Sequence, residues 1–206
     1  MKNLRKLFSK ESKSTFDKVY PWILVIGGII GLIAASVLTV EKLHLAANPN
    51  YIPSCSLSPI VACAPVIGSQ QASAFGFPNP IIGIAGFGMV WAVGMMLFAG
   101  AKNLKKWFWW CFQAGTVFGM LFCAWLINAA LYDIGKLCIY CMIVWAVTAI
   151  LFWTTLSFNL REKNINIKGK VGEFLAKNPG KLIAITYILI AILVLTRFAD
   201  YFYTLI

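Results

Sequence analysis

The chain has one histidine, His44, and seven acidic residues against eighteen basic ones. Only 12% of its 206 residues are charged, while 60% are hydrophobic. A soluble domain of this size lacks the polar surface to cover so many apolar side chains, so the composition points to a bilayer as solvent. It also leaves no room for a second folded domain. A single histidine excludes a haem held by two histidines of one chain. Charged residues are almost absent from the hydrophobic runs, which argues against an ion-coupled transporter. The formal net charge is +11, and the basic residues sit in short blocks between those runs. That pattern belongs to loops beside anionic lipid, so membrane lipid, and not nucleic acid, is the expected contact.

Five hydrophobic stretches are present: Trp22–Val40, Ile81–Gly100, Trp107–Leu131, Leu137–Phe158 and Leu182–Thr196. About 20 apolar residues cross a bilayer core as a helix, and the first four satisfy that length. The fifth is short and spans only if Phe198 to Ile206 extends it. Each stretch is continuous and not alternating, so the expected fold class is an all-α integral membrane protein. The first stretch reads as a retained anchor and not a signal peptide: its apolar run is long and some 20 polar residues precede it.

Charge sets an orientation. Lys2, Arg5, Lys6, Lys10, Lys13 and Lys18 precede the first span. Lys102, Lys105 and Lys106 follow the second, and Arg161, Lys163, Lys168, Lys170, Lys177 and Lys181 follow the fourth. If five spans alternate, these all share one side, and only Lys42, Lys136 and Arg197 lie on the other. The positive-inside rule then makes the basic side cytoplasmic, with the N-terminus inside and the C-terminus outside. The expected organisation is a basic tail over 1–20, a four-span unit over 21–158 with an outer loop at 44–80, a basic linker over 159–181 and a fifth span over 182–206.

The outer loop contains no Lys or Arg but carries Cys55 and Cys63. The turn Tyr132–Lys136 is also outside, and Cys138-Ile139-Tyr140-Cys141 follows it as a C-x-x-C. All four cysteines therefore sit at one outer boundary. Paired cysteines persist as disulfides in oxidising compartments. A C-x-x-C opening a helix has a redox rationale, because the helix N-terminus favours a thiolate at its first cysteine. Cys141 lies one turn inward, at bilayer level. Met142 stands where a c-type haem site would need histidine, which excludes that use. Two other readings fit the same residues. One is a zinc site, for which C-x7-C in an apolar loop is an unusual half-site. The other is a structural Cys55–Cys63 disulfide with Cys138 and Cys141 inert. Cys111 and Cys123 lie about 18 Å apart along one helix, too far to pair, and read as buried small hydrophobes.

Ser58-Pro59 reads as an N-cap and first helical position, predicting a short lid helix from Pro59 toward Gln71 that carries Cys63. Phe75-Gly76-Phe77-Pro78-Asn79-Pro80 reads as a stiff turn into the second span. Asn79 serves either that turn or a quinone carbonyl as a hydrogen-bond donor. Trp145, four residues after Cys141, either anchors the interface or walls a ring-binding pocket. Ser69 either caps the lid helix or hydrogen-bonds a thiolate. Asn128 is polar within an apolar span, as functional residues or helix–helix contacts are. Gly27, with Gly31 four residues on, and Gly28 read as close packing.

Over about Trp22 to Phe158 these features together resemble the vitamin K epoxide reductase (VKOR) family, in particular its bacterial members. The likeness rests on Cys55-x7-Cys63, Ser69, the run Phe75 to Gly83, and Leu137-Cys138-Ile139-Tyr140-Cys141. It implies a four-helix bundle around a quinone, menaquinone or ubiquinone, with the fifth helix appended. It also implies a DsbB-like role in a bacterial inner membrane: reoxidising a DsbA-like or thioredoxin-like partner on the outer face and passing the electrons to quinone. Some relatives fuse the partner after the fifth helix; here the chain stops at Ile206, which implies a separate partner. By the resemblance Cys55 exchanges with the partner, Cys63 exchanges with Cys138, and Cys141 faces the quinone. Asn79 matches the family's quinone-bonding asparagine and Ser69 a hydroxyl residue of the lid. Where the human-type enzyme has a tyrosine, this chain has Trp145; an indole packs on a ring but differs as a hydrogen-bonding group. That departure favours quinone reduction over epoxide reduction. The rival readings are a vitamin K or quinone epoxide reductase proper, and a non-enzymatic membrane scaffold held by zinc or a static disulfide.

Overall fold

The computed structural model describes residues 2–56, 58–101 and 104–199. It is an all-α membrane protein with five helices long and apolar enough to cross a bilayer. The helices are α1 (Lys2–Ala47), α2 (Cys63–Gly68), α3 (Pro80–Phe98), α4 (Lys106–Asn128), α5 (Ile139–Arg161), α6 (Lys170–Lys177) and α7 (Pro179–Arg197). Long apolar segments form helices here because a bilayer offers no partner for unpaired backbone groups. Pro80 and Pro179 each occupy a first helical position, where the missing N–H costs nothing.

α1 packs along α3 on one side and α5 on the other, and α5 packs along α4. Small residues permit the first contact. A Cβ on Gly28 would stand 2.8 Å from the Trp91 backbone nitrogen, and one on Gly31 would enter the Phe87 ring. Gly27 faces the other way, toward Leu151 and Val147 of α5. The expected close packing at these glycines is therefore real but divided between two neighbours. The chain order α3–α1–α5–α4 leaves a cavity between α3 and α4.

α7 lies outside this bundle. Trp153 donates to Thr186 (2.9 Å), and the Tyr187 hydroxyl donates to the Ala146 carbonyl (2.8 Å). Ile185, Ile188, Leu189, Ile192 and Leu195 are exposed, as lipid-facing residues should be. The helix gains its length at the start, from Pro179, and ends at Arg197. Its 19 residues rise about 28 Å, close to a bilayer core. The expected extension from Phe198 is thus not what completes the span; its residues 200–206, like Lys102 of the expected basic set, lie outside the described residues.

Two local expectations need correction. No helix begins at Pro59. Ser58 does cap, but its hydroxyl accepts the Val61 N–H at 3.0 Å and closes a turn, after which the backbone pairs with the segment before α5. Helix resumes only at Cys63, and a separate 3-10 turn covers Gln70–Ser73. Nor is Tyr132–Lys136 a simple turn. A π-helical turn continues α4 over Ala129–Ile134 and stops at Gly135, whose φ of 67° suits a residue without a Cβ. Asn128 ends α4 on an exposed face and takes no part in the cavity.

Candidate active site

The cysteines meet because two distant backbone segments pair. Leu137 N–H donates to the Ile60 carbonyl (2.9 Å), and Ala62 N–H donates to the Leu137 carbonyl (3.0 Å). This parallel bridge between Val61 and Leu137 sets Cys63 beside Cys138. Lys136 fixes the same junction by donating to the Pro59 carbonyl (2.6 Å).

Cys55 and Cys63 form a disulfide, and Cys138 and Cys141 are free thiols. The Cys138 sulfur lies 3.0 Å from Cys63 Sγ. Cys55, Cys63 and Cys138 are all buried, in one apolar cluster with Leu38 and Ile67. Cys138 is the N-cap residue of α5. A hydrogen bond from the Cys141 thiol, joined by the Cys141 and Tyr140 backbone N–H groups, holds the Cys138 thiol below the ordinary range despite burial and the nearby Glu41 carboxylate. The helix-start argument anticipated this direction; the larger cause is the second cysteine of the motif. The sulfurs of Cys55, Cys63 and Cys138 lie within 4.8 Å of one another. A zinc site needs thiolates, and with Cys55 and Cys63 joined only Cys138 of these three can offer one.

Cys55 is tied down through its neighbour. The Ser54 hydroxyl and N–H donate to Glu41 Oε1 at 2.6 and 3.3 Å. Glu41 is 5% exposed, a carboxylate buried in α1 beside the disulfide. The Tyr51 hydroxyl also faces it, and the Glu41 carboxylate raises the phenol's pKa. Sequence reasoning missed this pair; the signal was an acidic residue at the end of a helix otherwise poor in acids.

Cys141 opens onto the cavity between α3 and α4, which measures about 690 Å³. That lies within the range of small-molecule sites. Its wall is apolar, with Phe87, Phe112, Phe122 and Leu151 among its residues. Trp145, Asn79 and Ser69 line it too, so all three expected ligand-binding residues share one cavity with Cys141. Trp145 is buried, one turn along α5 from Cys141. Asn79 is committed to the turn: its Nδ2 donates to the Gln71 carbonyl (2.6 Å) and its Oδ1 accepts the Ala74 N–H (2.9 Å). One amide hydrogen of Asn79 is left for a ligand. Ser69 donates to the Val66 carbonyl (2.8 Å) and accepts the Ala72 N–H (3.2 Å), capping the 3-10 turn. Neither bond involves a thiol. Lys42, Gln71 and Cys111 also line the cavity, a role the sequence did not signal for them. Cys123 is buried against Thr148.

An apolar pocket with a few polar groups at one end and a thiol in its wall suits a lipid-soluble ring that accepts electrons. The quinone that the motif pattern implies fits these residues: Trp145 as a flat wall, Asn79 as a donor, Cys141 as the reacting neighbour. The model of the family described as Vitamin K epoxide reductase family matches residues 22–156. No curated protein matches the chain.

Proposed function

The chain belongs to the vitamin K epoxide reductase family, a family of membrane oxidoreductases that use quinones, and on that premise we propose that it generates disulfides. It reoxidises a thioredoxin-like or DsbA-like protein and passes the electrons to menaquinone or ubiquinone. The observation that carries this reading is the 3.0 Å approach of the Cys138 sulfur to the Cys55–Cys63 disulfide, with Cys141 in the wall of the apolar cavity.

Exchange runs in series. A partner thiolate attacks Cys55 and displaces Cys63; the partner's second thiol then releases Cys55, leaving the partner oxidised. Cys63 attacks Cys138 of the Cys138–Cys141 disulfide and displaces Cys141. Cys55 next attacks Cys63 and displaces Cys138. The outcome is a Cys55–Cys63 disulfide with two free thiols at Cys138 and Cys141, the arrangement seen here. A quinone bound against Cys141 supplies the two-electron acceptor, receiving the two electrons and two protons of that dithiol. Trp145 and the cavity's apolar wall hold the ring and keep water from the thiols. Trp145 in place of the tyrosine of human-type members supports quinone reduction over epoxide reduction.

The cysteine end faces an oxidising compartment in this reading, with the basic end at the cytoplasm of a bacterial cell. The three cations at the cysteine end are consistent with that orientation, because each is tied to backbone carbonyls. Lys42 binds those of Ile67 and Ala72, Lys136 that of Pro59, and Arg197 that of Leu131.

Cys55→Ala separates entry of electrons from their exit. With reduced thioredoxin-like protein as donor the variant should lose quinone reduction by roughly 10²-fold or more, while dithiothreitol still reduces Cys138–Cys141 directly. Quinone absorbance with each donor reads both. Full turnover of Cys55→Ala with the protein donor contradicts the relay order.

A further inference from the structure

Among the described residues, Lys42 is the one charged side chain lining the cavity. Ser69, Gln71 and Asn79 belong to the same turn that Lys42 binds, and Cys141 packs against the cluster that holds Ile67. Its ammonium donates to the Ile67 carbonyl at 2.9 Å and the Ala72 carbonyl at 3.2 Å. The Ala72 carbonyl also accepts the Asn79 N–H at 3.0 Å, so the ammonium and the Asn79 backbone meet at one oxygen. An ammonium has three hydrogens, and two are used. The remaining donor belongs to a group held by two carbonyls at the polar end of an apolar pocket.

We propose that Lys42 is the catalytic cation of the quinone site: it donates to the ring oxygen nearest Cys141 and stabilises the negative charge that oxygen gains as it is reduced. This rests on the quinone reading above and assigns the polar end of that site. The reaction balances without Lys42 changing its charge: the Cys138/Cys141 dithiol loses two electrons and two protons and becomes a disulfide, and the quinone gains both and becomes quinol. A charged donor already held in place acts where charge develops, and needs little reorganisation when it does. Asn79 cannot take this role alone, because its amide is neutral, and one of its two amide hydrogens already serves the turn.

The competing role is a clamp on the lid, which the same two carbonyl bonds would serve. The test therefore carries a readout that a clamp would move and a charge would not. Full-length wild type, Lys42→Met and Lys42→Arg are purified in detergent. Decylubiquinone binding is followed by quenching of tryptophan fluorescence, and its reduction by dithiothreitol through quinone absorbance. The distribution of disulfides among Cys55, Cys63, Cys138 and Cys141 without quinone is read by alkylation and peptide mass. The proposal expects Lys42→Met to bind decylubiquinone roughly 10-fold more weakly and to reduce it about 10²-fold more slowly. The disulfide distribution should stay as in wild type, and Lys42→Arg should recover most of the loss. Lys42→Met equal to wild type in binding and reduction overturns the proposal and leaves the oxidoreductase reading standing. A Lys42→Met protein with redistributed disulfides makes Lys42 a lid clamp and also overturns it. A wild type that neither binds nor reduces decylubiquinone overturns both.

Discussion

Replacing Cys138 with alanine should stop electron transfer from either donor, lowering quinone reduction by roughly 10³-fold or more, as loss of an essential member of a catalytic unit does. In the proposed relay Cys138 is the shared station. It stands 3.0 Å from Cys63 and pairs with Cys141 in the C-x-x-C, so its loss removes both the internal exchange and the disulfide that quinone renews. Dithiothreitol cannot bypass this, unlike the loss of Cys55. Peptide mapping of the variant should find Cys55–Cys63 still joined and Cys141 reduced even with excess quinone. The pH dependence of the wild-type exchange follows from the same residue. Its thiol is held below the ordinary range, so the thiolate is already formed at lower pH. In the forward relay this makes Cys138 a good leaving group when Cys55 displaces it, and the reverse step, attack of Cys138 on Cys63, should rise with pH and level off before an ordinary thiol would titrate. In Cys141→Ala, which removes the largest stabilising hydrogen bond, the Cys138 titration moves upward.

Gly28→Ala should destabilise the bundle by about 1–3 kcal/mol, as overpacking of a close contact does. The added Cβ would meet the Trp91 backbone nitrogen at 2.8 Å and its Cα at 2.9 Å, and backbone inside a helix cannot turn aside. α1 and α3 would have to separate, along the packing that holds one wall of the cavity. Gly27→Ala is the control. Its Cβ would meet the end of the Leu151 side chain at 3.1 Å, which can shift by a few tenths of an ångström. Thermal unfolding in one detergent should place Gly28→Ala clearly below wild type and Gly27→Ala close to it. Equal midpoints for the two variants would contradict the division of these glycines between α3 and α5.

The fold class was legible because membrane helices announce themselves by length and continuity, and the charge blocks gave the spans an order. The four cysteines were legible as one group for the same reason, since alternating spans bring both pairs to one end. Their contact was not. It depends on the bridge between Val61 and Leu137, two backbone segments that share no sequence signal, and on Ser58 closing a turn where its pairing with Pro59 suggests a helix start. The length of α7 was misjudged from its C-terminal side because hydropathy undervalues Pro179 to Lys181, which form a good first turn. Lys42 and Glu41 were invisible for a different reason. Side by side in α1, they read as ordinary charges at a helix end, and only the folded lid shows one reaching the cavity and the other the disulfide loop. Asn79 shows the converse: sequence offered a turn role and a ligand role, and the turn bonds take its amide oxygen and one of its two amide hydrogens.

The central claim is that electrons leave the protein through Cys141. The measurement that tests it most directly is the loss of oxidised-quinone absorbance in detergent with dithiothreitol as donor, comparing wild type with Cys141→Ala under conditions where both bind the quinone. The account predicts catalysed reduction by wild type and only the uncatalysed background with Cys141→Ala. Reduction at the wild-type rate by Cys141→Ala would contradict it, because the quinone would then be taking its electrons from another group.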